Sequence, residues 1–200
     1  YDSLLNDAVT ELVNDGVVLA VAAGNEDDDA CRYSPASASA PITVGATDDS
    51  DVRSFFSNYG SCVDIFAPGS DILSTTMRSS TGYKSGTSMA APHVTGVAAV
   101  IWSRHPNWTS TQVSAEVIAI ATANKVISPG SQSPNKLLFV PNGGKVPSAP
   151  TQVTAAVSGS SVTINWARPS NSGSSQITQY EAFDNNDVSV CVWTIGPRQC

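Results

Sequence analysis

The sequence predicts an α/β fold of three layers, a mostly parallel sheet with helices on both faces, followed by part of an all-β sandwich. Residues 17–23 form an unbroken apolar run, as expected of a parallel strand buried on both faces. Short strand-like runs then alternate with stretches of helical apolar spacing, which implies βα units. From Pro141 onward the chain becomes rich in Pro, Gly and Ser, and its apolar residues fall into short alternating runs.

The elements follow in order. Leu4, Leu5, Ala8, Val9, Leu12 and Val13 mark one face of a helix that stops at Gly16. The strand at 17–23 ends in Gly24-Asn25 and then a polar loop, in which residues 27–29 read as a solvated surface loop rather than a second metal site. Residues 42–46 read as a second strand, and 63–66 and 72–75 as two more, separated by Pro68-Gly69. Residues 81–85 suggest a hairpin arm. A helix then runs from near Ser88 to about Arg104, with Val94, Val97, Ala98, Val100 and Ile101 as its apolar run. Pro92 is expected within its first turn, where a missing N–H costs little. Thr109-Ser110-Thr111-Gln112 is a capping box for a last helix, with Val113, Val117, Ile118 and Ala121 facing inward.

Composition narrows the function. The 200 residues suit one or two domains, and 41% hydrophobic content is enough for a core. A net charge of −7 argues against nucleic acid or an anionic membrane as partner. No apolar run reaches the about 18 residues of a membrane span. There is no initiator Met and no charged-then-apolar leader, so a secretion signal is expected, if at all, upstream of Tyr1.

The chain divides into residues 1–140, a turn-rich linker at 141–150, and a β-module at 151–200. In the module, residues 152–157 and 161–166 read as two strands joined by Ser-Gly-Ser. With Trp166, Pro169 and the run 177–183, they resemble the first three strands of a fibronectin type III domain. Only about 50 residues are present where such a sandwich needs about 100, so the resemblance implies a truncated module.

The chemistry lies in residues 85–94, Ser-Gly-Thr-Ser-Met-Ala-Ala-Pro-His-Val. The spacing puts Ser88 at a helix start, where unpaired N–H groups and the helix dipole favour developing negative charge. Such a serine can serve as a nucleophile whose transition state carries an oxyanion. Gly86 leaves room for a substrate backbone. Taken alone, Gly-Thr-Ser is only a helix cap. Asn25 is placed at the carboxyl end of the first strand, where ligand chemistry collects in open α/β sheets; taken alone, Gly-Asn is a turn.

Together the two strings resemble the subtilisin-like serine proteases. The resemblance implies that Ser88 is the nucleophile and that Asn25 donates its amide to the oxyanion. It also implies that Ala22, Ala23 and Gly24 wall the pocket for the residue before the cut bond, with Gly86 and Thr87 among the substrate-binding residues. The family order of catalytic residues is Asp, His, Ser, yet the two histidines, His93 and His105, both follow Ser88. His93 is five residues on, near the opposite side of the helix at about 100° per residue, and reads as packed. His105, before Pro106, reads as an exposed helix end. The resemblance therefore covers the C-terminal half of such a domain, with the catalytic Asp and His expected before Tyr1 and this chain alone unable to run the triad.

Four cysteines allow three pairings, and buried free thiols are the alternative. The contexts of Cys31 and Cys62 resemble the proteinase K branch, and more closely its aqualysin-like members. That resemblance implies a Cys31–Cys62 disulfide and hence an oxidising, extracellular setting; the state of Cys191 and Cys200 stays open. Asp64 alone is an ordinary aspartate at a strand. The same branch implies structural Ca²⁺ at Asp64 with the backbone carbonyls of Ser39 and Pro41, hard oxygen ligands that suit this ion. The expectation is a secreted, monomeric serine endopeptidase acting on protein or peptide substrates. The alternative is a non-catalytic binding protein, a degenerate protease fold that presents the fibronectin-like module.

Overall fold

A computed structural model describes residues 1–77, 80–140, 149–159, 161–170, 180–183 and 189–193. It contains two compact units, Tyr1–Phe139 and Val140–Cys200.

The first unit opens with α1 (Ser3–Asn14), whose N-cap Asp2 accepts from the Leu5 amide at 3.2 Å. Gly16, at φ 93°, supplies the left-handed residue that ends it. Strands β1 (Ala20–Ala22), β2 (Ile42–Thr47) and β3 (Ile65–Pro68) follow, then a hairpin of β4 (Ile72–Thr76) and β5 (Ser80–Lys84). Helix α2 (Thr87–Arg104), helix α3 (Ser110–Ala119), β6 (Thr122–Ala123) and β7 (Lys136–Leu137) complete the unit. The main sheet has the order β1-β2-β3-β7-β6. Its first four strands are parallel, and β6 is antiparallel to β7.

One face of this sheet carries the larger core. Ile42, Val44, Ala46, Ile65 and Ala67 meet Ala90, Val94, Val97, Ala98 and Ile101 of α2, with Val113 and Val117 of α3 behind them. Full burial of each Val or Ile is worth about 1.5–3 kcal/mol, so this seam fixes α2 over the strands. Thr109 and Gln112 form the expected reciprocal capping box on α3.

Several expectations are corrected. Helices do not supply both cores: the second, formed by Ala23, Ala30, Ala36, Val63, Phe66 and Val126, is covered by loops and a short 3-10 helix, Ala30–Arg32. Helix α1 belongs to neither cluster. It buries Asn6, which donates to Ser37 at 2.9 Å, and Val9, while Leu4 is 78% and Leu12 46% exposed. The strand expected at 17–23 shrinks to Ala20–Ala22, and among the described residues it pairs with β2 alone. Val17, outside the strand, is exposed. The strand expected at 63–66 begins two residues later, at Ile65. Pro92 is the sixth residue of α2, past the first turn, so its missing N–H leaves the Ser88 carbonyl without its helical partner.

In the second unit β8 (Thr151–Ser158) and β9 (Ser161–Ala167) form an antiparallel hairpin. Strands β10 (Tyr180–Phe183) and β11 (Ser189–Trp193) form another. The Trp166 and Tyr180 rings lie 5.5 Å apart. Residues 141–148 of the expected linker, residues 177–179 of the expected third strand, and Cys200 lie outside the described residues.

Candidate active site

The parallel pairing of β1 with β2 brings the chain from Ala23 into a loop at the carboxyl edge of the sheet, where the Ala23 amide still donates to Val44 at 3.0 Å. Gly24 turns at φ 106°. The exposed Asn25 follows, and its side chain reaches the first turn of α2. There Asn25 Oδ1 accepts from the Thr87 amide at 2.8 Å and from the Thr87 hydroxyl at 2.9 Å. Thr87 is fully buried, and its Oγ1 in turn accepts from the Gly24 amide at 3.2 Å.

These bonds decide which groups stay free. The Asn25 oxygen is occupied, and among the described hydrogen bonds its Nδ2 donates to no protein atom. In the first turn of α2 the Thr87 amide goes to Asn25 and the Met89 amide to the Gly86 carbonyl at 2.9 Å. The Ser88 amide has no protein acceptor among the described residues, and the Ser88 side chain is exposed. Two N–H donors and a hydroxyl thus stand at one helix N-terminus, the arrangement that stabilises an oxyanion formed by attack of the hydroxyl.

Gly86 makes this close approach possible. Its φ of 153° with ψ of 157° belongs to a region that is essentially glycine-only. A Cβ there would lie 3.8 Å from the Asn25 amide. Its own amide donates to Gly69 at 2.8 Å, which anchors the strand leading into the helix. Ala22 is half-buried and Ala23 fully buried, so the small side chains expected to wall a pocket sit immediately before the Asn25 turn.

Neither histidine is brought to Ser88 by a described hydrogen bond. His93 Nδ1 donates to the Met89 carbonyl within α2 at 2.8 Å, and the His105 ring stacks on Trp108 at 3.9 Å.

Cys31 and Cys62 form a disulfide with Cα atoms 5.3 Å apart. Asp64 Oδ2 accepts from the Thr43 amide at 2.8 Å, which pins the carboxylate beside the start of β2, next to Pro41. Partial burial pushes this carboxyl above the ordinary carboxylate range, against the opposing pull of the Thr43 amide and Lys136. Among the described bonds Oδ1 has no protein partner, and neither the Ser39 nor the Pro41 carbonyl accepts a hydrogen bond. A carboxylate oxygen without a described protein partner and two unclaimed carbonyls fit a hard cation. Among the described residues there is no group of three or more His, Cys, Asp or Glu side chains suited to a metal. Residues 27–29, expected as a solvated loop, are tied down by side-chain bonds. Asp27 pairs with Arg53 at 2.7 Å, Asp28 with Arg32 at 3.3 Å, and Asp29 accepts from the Cys31 amide at 3.0 Å. The Asp28 carboxyl lies below the ordinary range, chiefly through a backbone hydrogen bond from Asp29.

Sequence reasoning did not anticipate that Thr87 orients Asn25, or that residues 53–60 grip the Asn25 loop. No local signal announces either, because both are contacts between segments distant in sequence.

The subtilase family model matches residues 1–138, and the chain belongs to that family. An extracellular serine proteinase of Thermus sp. (strain Rt41A) is 51% identical over 139 residues, 68% of this chain and 34% of that protein. An alkaline proteinase of Hapsidospora chrysogena is 48% identical over 145 residues, 72% of this chain and 36% of that protein. A crystal structure of a cold adapted subtilisin-like serine proteinase superposes with a TM-score of 0.68 at 44% identity, over 70% of this chain and 51% of that one. The chain thus spans about a third of the length of the two curated relatives. Among the described residues no helix is long and apolar enough to cross a membrane.

Proposed function

We propose that this chain is the serine-bearing part of a secreted, monomeric subtilisin-like endopeptidase that cuts proteins or peptides through an acyl-enzyme. The observation that carries this is the pairing of an exposed Ser88 with two uncommitted donors, its own amide and the Asn25 Nδ2. Ser88 Oγ attacks the scissile carbonyl, and a C–O bond forms as the hydroxyl proton passes to a general base. The carbonyl oxygen becomes an oxyanion held by the two donors. Collapse breaks the C–N bond, the leaving amine takes the proton, and water then releases the acyl group by the same steps. His93 bonds within α2 and His105 stacks on Trp108, so on this reading the base and its orienting carboxylate would be supplied from outside these 200 residues. The small residues Ala22, Ala23 and Gly24 leave an open slot beside the attacked bond, with Gly86 and Thr87 along the substrate path.

The extracellular naming of a relative and the Cys31–Cys62 disulfide support secretion. Asp64 with the carbonyls of Ser39 and Pro41 would hold a structural Ca²⁺, the ion balancing the carboxylate charge. The paired hairpins of the second unit support part of a fibronectin type III-like module. The test is proteolysis by the full-length protein: activity should be present and Ser88→Ala should abolish it. A folded full-length protein that binds but does not cut peptides would favour the non-catalytic binding reading.

A further inference from the structure

Asn58 lies in the loop before β3 and is completely buried. Its side chain makes four hydrogen bonds, all to the segment that carries Asn25. Nδ2 donates to the Ala23 carbonyl at 2.9 Å and to Glu26 Oε2 at 2.8 Å. Oδ1 accepts from the Glu26 amide at 3.0 Å and the Asp28 amide at 3.1 Å. Its own backbone amide donates to the Gly24 carbonyl at 3.0 Å. The side chain thus grips residues on both sides of Asn25 while touching neither Asn25 nor Ser88 through a described bond. Its four side-chain bonds use the full capacity of a primary amide, two donated by Nδ2 and two accepted by Oδ1.

The fit is tight. A Cβ added at Gly24 would stand 2.2 Å from Asn58 Nδ2, so the amide occupies the space beneath the turn that Gly24 makes at φ 106°. Around it, Asp27 donates to the Phe56 carbonyl at 2.9 Å and Tyr59 to the Asp28 carbonyl at 3.0 Å. Arg53 adds a bond to Asp27 at 2.7 Å. All of these hold the outer part of the loop. Among the described residues only the Asn58 side chain bridges the residues immediately before and after the Gly24-Asn25 pair. On the other side, Thr87 holds the Asn25 oxygen and the Gly24 amide. Asn25 therefore sits between two fixed points, Thr87 on the helix and Asn58 beneath the turn.

We propose that Asn58 is a positioning residue for the oxyanion donor: it fixes the backbone from which Asn25 reaches the developing charge. This rests on the reading of Asn25 and Ser88 given under Proposed function. An oxyanion donor works only if it is preorganised, and a displacement of about 1 Å in such a group can cost about 10²-fold in rate. A buried amide that set only fold stability would leave the chemical step of folded molecules unchanged.

The experiment measures kcat and KM of the full-length protein on a peptide p-nitroanilide for Asn25→Ala, Asn58→Ala and the double variant. Asn58→Ala should lower kcat about 10–100-fold with KM within about threefold, because the loss falls on transition-state stabilisation. In the Asn25→Ala background the same change should lower kcat less than about threefold, since residues acting as one unit are not additive. Asn58→Asp, nearly isosteric, keeps both accepted bonds and loses both donated ones. It is the second variant should Asn58→Ala fail to fold, and should show the same kcat loss. Equal kcat losses with and without Asn25 would overturn the inference, as would wild-type kcat in a folded Asn58 variant or failure of both Asn58 variants to fold. Wild-type kcat in Asn25→Ala alone would instead remove the oxyanion reading, a result in which Asn58 plays no part.

Discussion

The Asn25 side-chain oxygen accepts two hydrogen bonds from Thr87, at 2.8 Å from the amide and 2.9 Å from the hydroxyl, across 62 residues of sequence. That contact joins the end of β1 to the first turn of α2 and turns the Asn25 amide donors away from Thr87. Asn25 is therefore oriented by the residue that precedes Ser88, and on the function proposed above this sets the oxyanion donor.

Replacing Thr87 by valine keeps the shape and removes the hydroxyl that donates to Asn25 and accepts from Gly24. In the full-length protein kcat should fall about tenfold, the equivalent of one good hydrogen bond, with KM little changed. Steady-state kinetics on a peptide substrate measures this, and unchanged kcat would show that the Thr87 amide suffices.

Gly24 at φ 106° has no room for a methyl group, since a Cβ would collide with Asn58 Nδ2. Gly24→Ala should cost at least about 1–2 kcal/mol from the positive φ alone, and the collision adds to it. Chemical denaturation of the variant would show the loss. A stability equal to wild type would mean that the turn relaxes without harm.

The Cys31–Cys62 disulfide closes a separation of 31 residues. In the chain-entropy model it should stabilise the fold by about 3–4 kcal/mol. Peptide mapping without reduction should yield the linked pair, and Cys31→Ser with Cys62→Ser should lower the midpoint of thermal unfolding. Two alkylatable thiols at these positions in secreted material would refute the pairing.

Asp64 offers the testable part of the calcium proposal. Chelation should lower the unfolding midpoint of the full-length protein, because an ion that binds the native state alone stabilises it by mass action. Asp64→Ala should remove that response. A midpoint indifferent to chelator in the unaltered protein would count against calcium here.

Much of this was legible in the sequence because it is local. Helix α2 with Ser88 in its first turn follows from the apolar spacing after Gly86, and the α3 capping box follows from Thr109 and Gln112. The position of Asn25 after β1 follows from the apolar run that ends at Gly24. What periodicity misreads is context. Residues 17–23 look like one continuous strand, but only Ala20–Ala22 are extended in the sheet. Leu4, Leu5 and Leu12 look like a core face and are exposed. Asn58 carries no signal in the sequence, because all four bonds of its side chain go to residues 30–35 positions away. No local pattern encodes such a clamp.

The central claim is that Ser88 is an activated nucleophile in the full-length protein, and a serine-directed fluorophosphonate tests it most directly. A serine hydroxyl reacts with such a reagent only when a base within hydrogen-bond reach takes its proton. Intact-mass and peptide analysis should show one adduct, on Ser88, formed rapidly and absent in Ser88→Ala. A folded full-length protein that stays unlabelled, or that carries the adduct on another residue, would contradict the account.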